Sequence, residues 1–267
     1  MWKEMSTVVL PRNRIVSAYK EGRAAFGIYM RTPSEKMVEM LGCAGLDFVR
    51  IDLNAGHFNT ETVEGLIRTA HAVGVTPAVR VERNDAFLIQ SALDMGALQV
   101  IVPEVGSVAD VEAAVKATKL PPFGDRHAGP GGFVGGYGSV SGQEFRQWAA
   151  ENVILSVQVE KCSAVEQIER IVSIPGLDMV QSGRGTLAAD YGVSDQYHPI
   201  VMEAEAKVMQ AGIAAGKMTA VQYYPLRDPR QVDWVRDWVR RGVKCLCLGT
   251  DIDIVEVFRR LLRDLKA

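Results

Sequence analysis

The sequence predicts a (β/α)8 barrel formed by one domain over residues 1–267. Three observations point to it. Short runs rich in β-branched residues alternate with amphipathic stretches along the whole chain. There are eight such runs, and the length is close to the roughly 250 residues such barrels use. Several runs have continuous apolar centres, as parallel strands covered on both faces require. A doubly wound open sheet is the competing arrangement, but no Gly-x-Gly-x-x-Gly follows the first run.

Taken in order, strands are expected at 25–30, 48–53, 77–82, 98–105, 153–160, 179–182, 219–224 and 245–249. Ser34 can cap a helix over 35–42, with Met37 and Leu41 on one face. The helix over 60–73 stops at Gly74, and the one over 86–95 at Gly96. The helix over 108–118 ends before Pro121-Pro122. Helices over 164–172, 199–215 and 229–241 follow the same logic, and 252–265 ends the series. One segment, 123–142, breaks the rhythm with eight glycines. A loop that long is expected to act as a lid or binding loop.

The chain is 48% hydrophobic and 23% charged, which is globular composition. A formal charge of −2 leaves no electrostatic footprint for nucleic acid. No apolar run is long enough to span a bilayer, no like-charge block suggests a membrane-binding tail, and the first residues lack the apolar core of a signal peptide. Cys43, Cys162, Cys245 and Cys247 show no zinc spacing. The expectation is a cytoplasmic protein with reduced thiols.

In such a barrel the chemistry sits at the C-terminal ends of the strands. The polar residues expected there are Asp52, Arg80, Glu104, Gln158, Glu160, Gln181, Ser182, Gln222 and Asp251. Glu160 ends the fifth strand and shares a face with Gln158. Its carboxylate suits a hard divalent ion such as Mg²⁺ or Mn²⁺, or acid–base work; a solvated loop charge is the plainer alternative. Arg80 ends an apolar run, so its charge must be paired, with Asp52 or Glu82, or must bind an anion. Glu104, on the neighbouring strand, is a candidate second metal ligand or an ion-pair partner of Arg126 or Arg80. His57, just past the second strand, can pass protons near neutrality or cap a helix. Asp251 is expected to cap the last helix.

These pieces, in order, resemble the HpcH/HpaI aldolase family. The likeness runs through Asp52 after Phe-Val-Arg-Ile, Pro77-Ala-Val-Arg80, Ile101-Val-Pro103, Val157-Gln-Val-Glu160, Gly183, Leu187, Ala189-Asp-Tyr-Gly192, His198-Pro199 and Leu248-Gly-Thr-Asp251. It implies the barrel, retro-aldol cleavage to pyruvate and an aldehyde, and a trimer or hexamer whose last helix packs on, or swaps with, a neighbour. It also implies a divalent metal (Mg, Mn or Co) held by Glu160, an arginine at Arg80 that stabilises the enolate, and a supporting Gln158.

The sequence departs from that pattern at the rim. The family's second metal carboxylate falls on Thr186, its proline on Arg184, and its histidine after the second strand on Ala55, two residues before His57. The leading expectation is a carbon–carbon lyase for a small anionic oxo-acid. Glu160 and Glu104 would hold the metal, and Asp52, His57 and Gln158 would assist Arg80. Gly183, Arg184, Thr186 and Arg126 would complete substrate binding. A metal-independent decarboxylase, hydratase or other lyase using Arg80, Arg126 and Arg184, and a non-catalytic binding protein, are the alternatives.

Overall fold

A computed structural model describes residues 9–266. Eight parallel strands close into a barrel in sequence order. They are β1 (Ala25–Met30), β2 (Phe48–Asp52), β3 (Thr76–Arg80), β4 (Gln99–Val105), β5 (Ile154–Val159), β6 (Met179–Ser182), β7 (Met218–Gln222) and β8 (Cys245–Thr250). The helices are α1 (Arg14–Lys20), α2 (Glu35–Cys43), α3 (Thr60–Ala72), α4 (Ala86–Met95), α5 (Val108–Thr118), α6 (Gly142–Asn152), α7 (Cys162–Glu166), α8 (Ile168–Val172), α9 (Arg184–Asp190), α10 (Pro199–Ala214), α11 (Gln231–Arg240) and α12 (Ile254–Lys266). The expected strands all form, shifted by two residues at most. Outward-facing strand residues such as Val49, Ile51, Val79, Val100, Val157 and Val180 pack under the helices in one large core.

The inward face is built differently at each end. At the N-terminal end, Phe48, Ile154, Met179 and Cys245 form a second cluster that is completed by Ile15 and Ala18 of α1. This seven-residue helix plugs the barrel. Asn13 caps it, accepting from the Ile15 N–H at 2.9 Å, and its amide donates to the carbonyls of Leu98 (3.0 Å) and Asn152 (2.8 Å). Such a helix is too short to be stable alone, so tertiary contacts hold it. At the C-terminal end, the inward face becomes polar.

Besides α1 and α6, which lie outside the expected helices, three features differ from the expectation. The helix expected over 164–172 is two short helices, α7 and α8, meeting at Gln167. The glycine-rich segment is not a lid over this chain's own strand ends. It follows α5 and so returns along the N-terminal end, where Phe133 lies 5.2 Å from the His71 ring and Arg126 pairs with Asp94 at 2.8 Å. Its end, Ser141-Gly-Gln-Glu144, is a capping box that starts α6. Finally, Asp251 accepts from the Arg31 and Thr32 backbone N–H groups at 3.0 and 2.9 Å, closing the β8–β1 seam. Thr250 and Asp253 form a capping box that opens the short 3-10 turn leading into α12.

Among the described residues, no helix is long and apolar enough to cross a membrane. The last helix, α12, buries none of its residues. Ile254, Val255, Phe258, Leu261, Leu262 and Leu265 are all exposed on it. Truncating the plug should be costly: Ile15→Ala is expected to lower the unfolding free energy by about 3 kcal/mol in urea titrations. Lys20→Ala on the exposed side should change it by less than about 0.5 kcal/mol.

Candidate active site

The C-terminal strand ends surround a cavity of about 270 Å³, whose lining includes Tyr29, Arg31, Arg80, Gln158, Glu160 and Thr186. Strand register sets its central contact. Asp52 and Arg80 are register partners on β2 and β3, and alternation turns both side chains inward. Asp52 is fully buried and takes both arms of Arg80, at 2.7 Å from Nε and 2.8 Å from Nη2. It also accepts from Arg31 Nε at 3.2 Å. Arg80 Nη1 donates to Gln158 Oε1 at 3.2 Å, and its guanidinium carbon lies 4.9 Å from the centre of the Tyr29 ring. A guanidinium has five N–H donors. Asp52 and Gln158 therefore fix Arg80 without exhausting it, and the remaining donors can meet a carboxylate or enolate oxygen. One carboxylate faces two arginines, so this part of the cavity keeps a net positive charge.

Glu160 follows β5 and is buried. Burial pushes its carboxyl up to about 7, against the opposing pull of the Glu104 N–H and Arg80. The nearby Glu104 charge raises it further. Two backbone features make room for it. The β4–β5 register shifts between Val102 and Val105, and within this bulge Glu104 has φ 55°. That left-handed conformation is unfavourable for a residue with a Cβ. It turns the Glu104 N–H onto Glu160 Oε2 at 2.9 Å. On the other side, a Cβ on Gly183 would fall 1.7 Å from Glu160 Oε1, so only glycine fits beneath the carboxyl.

The other expected site residues divide. Gly183, Arg184 and Thr186 all line the cavity. The Arg184 charge is already answered, however: Glu205 of α10 accepts from Nη1 at 2.9 and 3.0 Å. The same carboxylate accepts from Ser182 (2.6 Å) and Tyr223 (3.0 Å). Arg184 thus belongs to a buried network behind the cavity wall. Glu104 reaches Glu160 through its backbone only; its side chain is exposed and not part of the lining. His57 is exposed and lies in an adjoining shallow recess with Asn54, Phe58 and Glu82. Arg126 is at the opposite end of the barrel, among residues that precede β5, β6 and β7, and does not reach the cavity of its own chain. Tyr29 and Arg31, at the end of β1, join the cavity without having been singled out. Their signal was the alternation that puts Tyr29 on the inward face and a cation one step past the strand.

The divalent metal that the resemblance implies has too few donors here. Glu160 is the one carboxylate among the residues lining the cavity. The Gln158 oxygen is engaged by Arg80. Among the described residues no group of three or more His, Cys, Asp or Glu side chains is placed to hold an ion. With one carboxylate and no second protein oxygen free beside it, the residues present do not fit a resident metal held by the protein alone.

The model of the HpcH/HpaI aldolase/citrate lyase family matches residues 25–251, which is the barrel from its first strand to the turn after its last. The chain belongs to this family. It is 30% identical over 212 residues to a hydroxypyruvate/pyruvate aldolase of Sagittula stellata, covering 78% of this chain and 83% of that one. It is 30% identical over 252 residues to a 4-hydroxy-2-oxovalerate aldolase of Novosphingobium aromaticivorans, covering 90% and 89%. A solved HpcH/HpaI family protein from Burkholderia cenocepacia superposes with a TM-score of 0.84 at 26% identity, covering 96% of this chain and 100% of that chain. The chain is a lyase of the HpcH/HpaI aldolase type.

Two outcomes follow from the geometry around Glu160. A buried carboxyl raised from 4.5 to about 7 is tolerated below pH 4.5 and costs stability as pH rises through 7. Glu160→Gln stays neutral, so its stability relative to the unaltered protein should grow across that window, by at most roughly 3 kcal/mol. Thermal melts between pH 4.5 and 8 measure it, and a pH-independent difference would mean that Glu160 is ionised throughout. Glu104→Gly keeps the backbone donor and relieves the left-handed strain. It is expected to be at least as stable as the parent and to keep its activity; loss of activity would show that the Glu104 carboxylate takes part.

Proposed function

We propose that the chain catalyses reversible aldol cleavage of a small 4-hydroxy-2-oxo acid, with Arg80 stabilising the enolate of a pyruvate-like fragment. The observation that carries this reading is the Arg80 guanidinium, fixed by Asp52 and Gln158 and open to the cavity, beside a carboxyl poised near neutral pH. The substrate carboxylate and 2-oxo oxygen would lie against Arg80 and Arg31. A base removes the proton of the 4-hydroxyl, the C3–C4 bond breaks, and the electron pair moves onto the 2-oxo oxygen as an aldehyde departs. Fixed positive charge at that oxygen lowers the barrier because it needs no reorganisation as charge develops. The enolate then regains a proton at C3. Glu160, neutral or ionised within the physiological range, is the group suited to that exchange. The pyruvate and hydroxypyruvate chemistry named for the relatives supports a donor of this size.

No step is assigned to a metal. Glu160 would be the anchor if one bound, and Glu104 could join it only by redirecting an exposed side chain. His57 is near enough in sequence to serve a water at the mouth but lies in the neighbouring recess. The four free cysteines suit a reducing compartment, and we place the protein in the cytoplasm. The exposed apolar face of α12 supports a homo-oligomer, a trimer or hexamer, in which this helix packs on another subunit.

Proton NMR of pyruvate in D₂O tests the reading. Loss of the methyl signal with enzyme is expected, and it should persist in EDTA. Arg80→Met should lose exchange by roughly a thousandfold. Exchange abolished by EDTA and restored by Mg²⁺, Mn²⁺ or Co²⁺ would establish a metal despite the donor set. No exchange under any condition would remove the enolate reading and favour a binding protein. Thr186→Asp is expected to create measurable Mn²⁺ affinity in calorimetry, where the parent shows little. Phe258→Asp should shift the protein to a smaller species in sedimentation, and an unchanged mass would exclude α12 from the interface.

A further inference from the structure

Arg50, the central residue of β2, is a buried cation of a different kind from its neighbours. Three arginines are buried: Arg50, Arg126 and Arg184. Arg126 has Asp94 and Arg184 has Glu205. Arg50 is 1% exposed and has no ion-pair partner among the described residues; its contacts are neutral. Nη1 donates to Gln181 Oε1 at 3.0 Å, and Nη2 lies 3.3 Å from Cys245 Sγ. The guanidinium carbon is 4.9 Å from the Phe48 ring centre and 5.4 Å from that of Tyr29. Its Nε has no partner at all. Ring faces and an amide oxygen offset an isolated buried charge only in part. An uncharged side chain would serve packing better.

Its position suggests what completes the balance. Tyr29 lines the cavity, and its ring is shared: Arg50 approaches it at 5.4 Å and Arg80 at 4.9 Å. Arg50 does not itself line the cavity, but it is joined to it through the Tyr29 ring. Asp52, two positions along the same strand face, is occupied by Arg80 and Arg31. A field from an unanswered cation in a low-dielectric interior extends further than one in water.

We propose that Arg50 is a specificity-determining residue whose buried charge is answered by the ligand, so that the site favours dianions over monoanions. Resting on the enolate reading, this deepens it: a 2-oxo acid enters with one negative charge and its enolate carries two. A fixed charge that the keto form uses in part and the enolate uses more fully favours the reacting state.

Oxalate, a planar dianion shaped like the enolate, and oxamate, its monoanionic analogue, separate the possibilities in calorimetry. Arg50→Met is expected to weaken oxalate about tenfold and oxamate no more than about twofold. Arg50→Gln, which keeps a polar group for Gln181, should behave alike if Arg50→Met does not fold. Arg50→Lys should restore oxalate binding. Equal losses for both anions, or no loss, would overturn the proposal and leave Arg50 a packing residue. If the unaltered protein exchanges pyruvate protons yet Arg50→Gln binds oxalate normally, only this proposal fails. If the unaltered protein neither exchanges pyruvate nor binds oxalate, the enolate reading fails with it.

Discussion

The site depends on one ion pair, Asp52 with Arg80. Both residues come from neighbouring strands in matched register, so the barrel's hydrogen bonding fixes their alignment before any side chain chooses a rotamer. Arg80 is then held by two arms and by Gln158 in a position that a flexible cation could not keep. A buried Asp52 without arginine would be an unpaired ion, and an Arg80 without Asp52 would be free to swing toward Glu160. The pair costs desolvation, yet it turns a general basic patch into a guanidinium of defined direction.

Around that pair the barrel has kept its framework and altered its rim. The bulge at Glu104 and the missing side chain at Gly183 both serve to seat the Glu160 carboxyl. The cage for that group is complete although Thr186 stands where the resemblance implies a second carboxylate. Arg184 is tied to Glu205 and Tyr223, so it secures the wall and adds no free charge to the cavity. The free charge that faces the cavity therefore comes from Arg80 on β3 and Arg31 at the end of β1.

Much of the fold was legible because strand burial repeats every second residue and each unit repeats the same pattern. β1, β6 and α4 carry their limits in plain turn and cap residues, down to Gly96 in the left-handed conformation. α1 was not legible: seven residues have little periodicity, and the plug exists only because the open barrel end needs Ile15 and Ala18. The inward polar residues could be read from strand alternation, which found Arg80, Gln158 and Glu160. Their partners could not. That Glu104 acts through its N–H depends on a bulge, and that Arg126 lies at the far end depends on which side of the barrel a loop returns along. Arg50 could be read as inward-facing, but its lack of a carboxylate required all eight strands.

The α1 plug makes the cavity a well with one mouth. Two fragments produced at its floor would have no second exit, so a fragment held by Arg80 as proposed would wait for the other to clear the rim. On the proposed reaction, departure would be ordered by depth, with the aldehyde first and the oxo-acid last. The oxo-acid would then share a resting form of the protein with incoming substrate, and product-inhibition patterns would register that sequence.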